Sequence, residues 1–479
     1  MQLPLSNHIS LIHGWVPLTV EVVAVVALAL AVGWRSRRWR LLWLPLTAVV
    51  GGVTAAGAHW SVATSGLNTG PAPRELYVWI ALVGMATAVL ILGWRGVRWW
   101  RRGLSIVAVP LCLLCSLLVL NQWVGYFQTV QSAWNQLTSR PLPDQTDKAT
   151  VVSMAAKGSK PAHGSLVPVQ IPSDASHFKH REELVYLPPA WFASYPPPQL
   201  PTVMMIGGML SSPADWVRAG NAVETADAFA AAHGGNAPVL VFVDAGGAFD
   251  NDTECVNGSR GNAADHLTKD VVPYLVSNFG VSPDPSRWGV VGWSMGGTCA
   301  VDLTVMHPNL FSAFVDIEGD LTPNTGTKAQ TIASLFGGNA DAWAAFDPTT
   351  VINRHGRYTG VSGWFAISSG GSPTPSRDVT TVDSAAMALA GRGAAADPGN
   401  QAAAAGSLCA LGRASGIDCA VVAHPGKHDW PTAGTVFSTA LPWLAGRLGT
   451  PGVPRIALPG TESAPTHPHH TEAVAHGQR

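Results

Sequence analysis

Charge is scarce in this chain. Only 12% of its 479 residues are charged, 29 basic against 30 acidic, for a formal net charge of −1. Without a basic excess, and with no basic run in the second half that alternates with aromatics, nothing marks a nucleic-acid surface, and that class of partner is set aside. An apolar share of 47% is too high for an ordinary soluble domain, so part of the chain is expected in lipid. Internal repeats are lacking too, and the length exceeds what one hydrophobic core usually supports, so two units are expected.

What is present changes character near residue 123. Before it lie four apolar stretches, 15–33, 41–57, 76–94 and 104–123, each near the ~20 residues that an α-helix needs to cross ~30 Å of hydrocarbon. Trp15, Trp34, Trp39, Trp60, Trp94, Trp99, Trp100 and Trp123 crowd their ends, where an amphipathic ring suits the headgroup layer. The first stretch is too long, and its N-terminal flank too poor in Lys and Arg, for a cleaved signal peptide, so it is expected to be retained. Arg35, Arg37, Arg38 and Arg40 fall between spans one and two, and Arg95, Arg98, Arg101 and Arg102 between spans three and four, whereas the middle loop has only Arg74. Both basic loops are expected in the cytoplasm, which puts the N-terminus and everything after Trp123 outside it. Glu21 and His59 lie near the outer ends, within reach of interfacial water, so the spans read as an anchor rather than a transport path.

Residues 124–163 are polar and irregular and read as a linker, and 164–449 as the second domain. The tail, 450–479, lacks apolar periodicity and is expected to be disordered. Its His467, His469 and His470 have no carboxylate or Cys partners nearby, so no metal is expected there.

In the second domain eight apolar runs of strand length (LVPVQI, ELVYLP, TVMMIG, VLVFVDA, GVVGWS, AFVDIE, WFAISS, CAVVAH) alternate with helical periods, which predicts an α/β fold with a mostly parallel sheet covered by helices. The sharpest motif is Gly292-Trp293-Ser294-Met295-Gly296, a G-x-S-x-G between the strand WGVV and the helical run TCAVDLTVMH. That context makes it a nucleophile elbow: the tight turn strains the serine, and only small residues fit beside it. Ser294 is the expected nucleophile, at a helix N-terminus that favours developing negative charge.

A serine needs a base, and the base needs a carboxylate to orient it. In chain order Ser, acid, His, the base lies late. His307 and His355 read as structural and His424 still sits at a strand end, leaving His428, on the loop opened by Pro425-Gly426. Asp316, Glu318 and Asp320 come one strand too early for the usual acid. Asp397, opening the helix before the His-bearing strand, is the expected acid, with Asp378 as the alternative. For the oxyanion hole the expected N–H donors are Met295, after the nucleophile, and Met209, after Gly207-Gly208, with Leu210 as the neighbouring possibility. Cys112 and Cys115 fall inside the fourth span. Cys255, Cys299, Cys409 and Cys419 form an even set in a domain expected to face an oxidising space, so disulfides are plausible; of three connectivities, Cys255 to Cys299 would brace the elbow and Cys409 to Cys419 would close a helix-to-strand link.

The stretch 182–448 resembles the esterase D and mycolyltransferase branch of the α/β-hydrolases. The likeness rests on VYLPP before IGGML, DTECVNG leading to HLTKDVVPYL, GWSMGGTCAVDL followed by HPNLFSAFVDIEGD, and PGKHDWPTA. It implies Ser294 as the elbow serine, His428 as the histidine of G-x-H-x-W, an acid in the region of Asp397, and Gly208-Met209 at the first oxyanion position. The alanine-rich insertion 385–396 departs from the pattern. The expectation is a membrane-anchored, extracytoplasmic serine esterase working through an acyl-enzyme, needing no metal or organic cofactor. Location suggests a lipid or cell-envelope ester, such as a glycolipid, as substrate. The rivals are an acyltransferase sharing the acyl-enzyme and a catalytically silent binding protein.

Overall fold

The apolar stretches fold into α1 (Trp15–Val32), α2 (Leu44–Thr64), α3 (Arg74–Leu92) and α4 (Trp99–Val124), with a π-helical turn, Trp39–Trp43, leading into α2. The structure is a computed structural model and describes residues 9–64, 72–94, 97–138, 141–369, 380–381 and 400–460. All four helices are long and apolar enough to cross a membrane. Val22, Leu30, Val53, Ile91, Leu113 and Leu117 point outward, a surface that water penalises and lipid does not. A Cβ on Gly84 would meet Thr54 Oγ1 at 2.4 Å, so the close approach of α3 to α2 depends on the missing side chain. α4 starts earlier than expected, taking in Arg101 and Arg102, because long Arg stems can lie along a helix and reach water with their heads.

The two Arg-rich connections meet at one end. Arg35 Nη1 donates to the Gly93 carbonyl at 3.0 Å, and Arg35, Arg40, Arg101 and Arg102 lie over the rings of Trp39, Trp34, Trp100 and Trp94. At the other end the chain entering α1 pairs with the chain leaving α4: Leu11 N–H donates to Gln128 O and Val130 N–H to Ile9 O, both at 3.0 Å.

The expected linker is more ordered than its composition indicates. It carries α5 (Val130–Leu137) and α6 (Lys148–Ala156), the latter capped by Asp147, whose carboxylate accepts the Thr150 N–H at 2.8 Å. Leu142, Val151 and Ala155 are buried against the second domain. Three scattered apolar side chains sufficed for docking, too few to register as a period. The expected tail also begins late, since Leu458 is buried; residues 461–479, with His467, His469 and His470, lie outside the described residues.

The second domain is built on β1 (Ser165–Val169), β2 (Glu183–Leu187), β3 (Thr202–Ile206), β4 (Val239–Val243), β5 (Asn257–Gly258), β6 (Gly261–Asn262), β7 (Trp288–Trp293), β8 (Ala313–Ile317), β9 (Ser362–Ser368), β10 (Thr380–Thr381) and β11 (Asp418–His424). β5 and β6 form a separate hairpin; the main sheet runs β1-β2-β4-β3-β7-β8-β9-β11-β10. From β4 to β11 neighbours are parallel, while β1, β2 and β10 pair antiparallel at the edges. Every residue of β3, β4, β7 and β8 is buried, as helices on both faces require. Alternate side chains feed two cores: Met204, Ile206 and Val290 pack with the nucleophile helix Met295–Met306, while Val203, Met205 and Val291 pack with the last helix, Trp430–Arg447. All eight expected strands are present, and the carboxyl ends of β3, β7, β8 and β11 converge on one edge.

Candidate active site

At that edge β7 turns sharply into its helix. Ser294 has φ 58° and ψ −123°, a conformation an L-residue holds only when the surroundings impose it. A Cβ on Gly292 would sit 1.7 Å from the Gly296 carbonyl oxygen, and one on Gly296 would sit 2.3 Å from the Ile206 carbonyl oxygen. The backbones therefore pass too closely for any side chain. The Ser294 N–H donates to Ile317 O at 2.9 Å, tying the turn to β8.

His428 stands on the loop between β11 and the last helix. Gly426 (φ 140°) bends the chain, Ser368 Oγ donates to its carbonyl at 2.6 Å, and Asp429 caps the helix by accepting the Thr432 N–H at 3.0 Å. Held from both sides, His428 brings Nε2 to 2.9 Å from Ser294 Oγ. Its Nδ1 lies 2.8 Å from Glu318 Oε2, and the Glu318 side chain is fully buried while that of His428 is 31% exposed. Gln401 Nε2 is a looser neighbour of Nδ1, at 3.3 Å.

The carboxylate beside His428 is thus Glu318. Asp397, the expected acid, and its alternative Asp378 both lie outside the described residues. Glu318 follows β8, the direct neighbour of β7 in the sheet, one strand before the expected position of the acid. Glu318 leaves β8 with φ 55°, and Gly319 follows, its N–H donating to Asp316 Oδ1 at 2.7 Å, so the turn swings the carboxylate toward the histidine. The motif DIEGD held the signal: a carboxylate at a strand end followed by glycine. His424 Nε2 is 3.9 Å from Glu318 Oε1, and burial lowers its pKa below the ordinary histidine value.

The two expected oxyanion residues, Met209 and Met295, line one cleft, partly open to solvent, with Gly208, Leu210, Val243, Asp244 and Phe249. A Cβ on Gly208 would be 3.2 Å from Ser294 Cβ, so this loop runs alongside the nucleophile. Sequence reasoning missed what supports it. Arg181 clasps Asp244 through Nε at 3.0 Å and Nη2 at 2.7 Å, and the same Nη2 donates to Ser211 O at 2.7 Å. Arg181 and Asp244 are far apart in sequence and have no local signature.

Behind the elbow lie buried carboxyls. Burial pushes Asp316 up to about 7 and Asp252 up to about 6, and raises Glu254 and Asp302 well above the usual range. The disulfide Cys255–Cys299 fastens the loop bearing Glu254 to the nucleophile helix, and Cys409–Cys419 joins the helix Gln401–Ala414 to β11; Cys112 and Cys115 are free in α4. His180, Glu183 and His266 are grouped closely enough to hold a metal ion. Their ring nitrogens already face other atoms, however: Ile171 O at 2.7 Å and Arg181 O at 2.8 Å for His180, Glu183 Oε1 at 3.2 Å and Asp270 Oδ2 at 3.3 Å for His266. The group therefore reads as a hydrogen-bonded buttress.

Sheet order, elbow and covering helices define an α/β-hydrolase. Residues 179–438 match the family described as "Putative esterase", and the chain belongs to that family. A Corynebacterium glutamicum protein, described only as uncharacterized, is 27% identical over 371 residues, 74% of this chain and 83% of its own length. Solved structures similar to this one include a ferulic acid esterase (16% identity, 60% of this chain and 99% of that one, TM-score 0.43) and an S-formylglutathione hydrolase from Agrobacterium tumefaciens (16%, 60% and 97%, TM-score 0.45). MPT51 of Mycobacterium tuberculosis is another, at 21% identity over 58% of this chain and 97% of that one, with a TM-score of 0.38.

Proposed function

We propose that this chain is a membrane-anchored serine esterase whose hydrolase domain works outside the cytoplasm. The observation that carries the reading is the contact series on the elbow: Ser294 Oγ 2.9 Å from His428 Nε2, and His428 Nδ1 2.8 Å from Glu318 Oε2. His428 takes the Ser294 proton as Oγ attacks the ester carbonyl, while Glu318 orients the ring and stabilises its charged form. The N–H groups of Met295 and Met209 hold the oxyanion. His428 then protonates the leaving alcohol, and water or another hydroxyl, activated by the same ring, releases the acyl group. The exposed side chains of Leu210 and Phe249 on the cavity wall suit an apolar acyl chain. With the four apolar helices they favour an envelope lipid ester as substrate.

The test uses two separate samples of the purified full-length chain: one labelled with a fluorophosphonate, the other, unlabelled, analysed by intact mass after incubation with envelope lipid extract. Wild type should label at Ser294 and gain an acyl mass; Ser294→Ala should do neither. Labelling that survives Ser294→Ala would sink the reading. The acyltransferase alternative shares every step up to the acyl-enzyme, and adding sugar or lipid alcohols separates the two by whether a new ester forms.

A further inference from the structure

The segment leaving α4 is bonded to residues that support the active-site loops. Directly after α4, Gly125 presses on the residues that follow His428: a Cβ there would lie 2.6 Å from Pro431 Cδ and 3.1 Å from Asp429 Cβ. Next comes Tyr126, whose hydroxyl donates to Asp215 Oδ1. Asp215 is buried, and its other oxygen accepts the Ser212 N–H at 2.6 Å. Ser212 ends the same loop, 207–212, that carries Met209 past Ser294 and lines the cavity. Gln128 Nε2 adds a bond to Ala219 O at 3.3 Å, and Asn121, in the last turn of α4, holds Phe127 by N–H and carbonyl at 2.6 and 2.8 Å. Val124 and Tyr126 also pack on the core face containing Trp216 and Trp430, whose rings meet edge to face at 5.4 Å.

We infer that Tyr126 is a positioning residue of the esterase, holding the oxyanion loop through Asp215, so that the membrane exit forms part of the catalytic unit rather than a tether. The inference rests on the proposed Ser294 chemistry. Without the Tyr126 hydroxyl, buried Asp215 keeps its hydrogen bonds from Ser212 but loses its tie to the segment after α4, so the loop it anchors is freer to relax away from the oxyanion. A loop displaced but not deleted should cost less than the ~10²–10³ in kcat seen when an oxyanion donor is removed, so a loss of ~10-fold is expected.

The experiment uses the full-length chain in detergent micelles. Fluorophosphonate titration counts competent sites, and p-nitrophenyl butyrate turnover gives kcat per titrated site and KM. For Tyr126→Phe, kcat per site should fall ~10-fold with KM unchanged, since the loop acts on the transition state and not on ester binding. Asp215→Ala should lose at least as much, and adding Tyr126→Phe to it should cost nothing further, because the two act as one unit. A purely structural role would lower the number of titratable sites or the melting temperature while leaving kcat per site at the wild-type value. That result in Tyr126→Phe overturns the inference even if Asp215→Ala fails to fold. If wild type neither labels nor turns over ester, the esterase reading itself falls, and this inference with it.

Discussion

Ser294 and His428 could be read from the sequence because their positions are fixed by local collision. Glycines at 292 and 296 are required wherever a strand, a turn and a helix pass this closely, and Pro-Gly before His428 marks the loop tip. The carboxylate beside His428 could not be read that way. Glu318 reaches His428 only because β8 lies beside β7 and because residue 318 takes a positive φ, neither of which has a period or spacing in the sequence. Glu318→Gln keeps the shape and removes the charge that orients the ring. It should lower kcat by ~10⁴ with the fold intact, as loss of the acid does in the worked serine triad. Asp397→Asn should stay within about twofold of wild type. If Asp397→Asn is crippled and Glu318→Gln is not, Asp397 is the acid after all. Steady-state kinetics on the two purified variants decide it.

Among the elements, those whose burial is complete were the most legible. Strands β3, β4, β7 and β8 are nearly continuous apolar runs, broken in β8 by Asp316, because both faces are covered, and length separates them from helices. The two-residue strands β5, β6 and β10 are too short to show a period. Asp316 in β8, against the elbow helix, is pushed up to about 7 by burial first; the Gly319 N–H pulls the other way, and Asp320 and Glu318 add smaller rises. A carboxyl with a folded pKa near 7 and an unfolded value near 3.8 binds its proton more tightly in the folded state. Stability should therefore fall as pH rises between those values, with the penalty complete above about 7. Asp316→Asn keeps an oxygen for the Gly319 N–H and cannot ionise. It should be more stable than wild type at pH 8, by on the order of a few kcal/mol, and the gap should shrink by pH 5. Melting curves at the two pH values check this; equal gaps would mean that Asp316 is already ionised at both pH values in the folded chain and that its pKa is not raised.

For the whole molecule the proposed anchoring turns on which side of a membrane would hold the hydrolase domain. Two features support an even number of crossings. The Arg35 bond to Gly93 joins both Arg-rich connections at one end, and the pairing of Ile9–Leu11 with Gln128–Val130 joins entry and exit at the other. With arginine retained in the cytoplasm, as the proposed function requires, the domain would face out. Its cysteines supply an independent check, because disulfides persist outside the cytoplasm and are reduced within it. Cys255–Cys299 and Cys409–Cys419 are paired, while Cys112 and Cys115, of the six in the chain, are free. Protein extracted under acid quench from intact cells, denatured and alkylated without reductant, should therefore carry label only at Cys112 and Cys115. After reduction all six should react. Label on all six before reduction would place the domain in a reducing compartment and reverse the orientation, and with it the expectation of an envelope substrate.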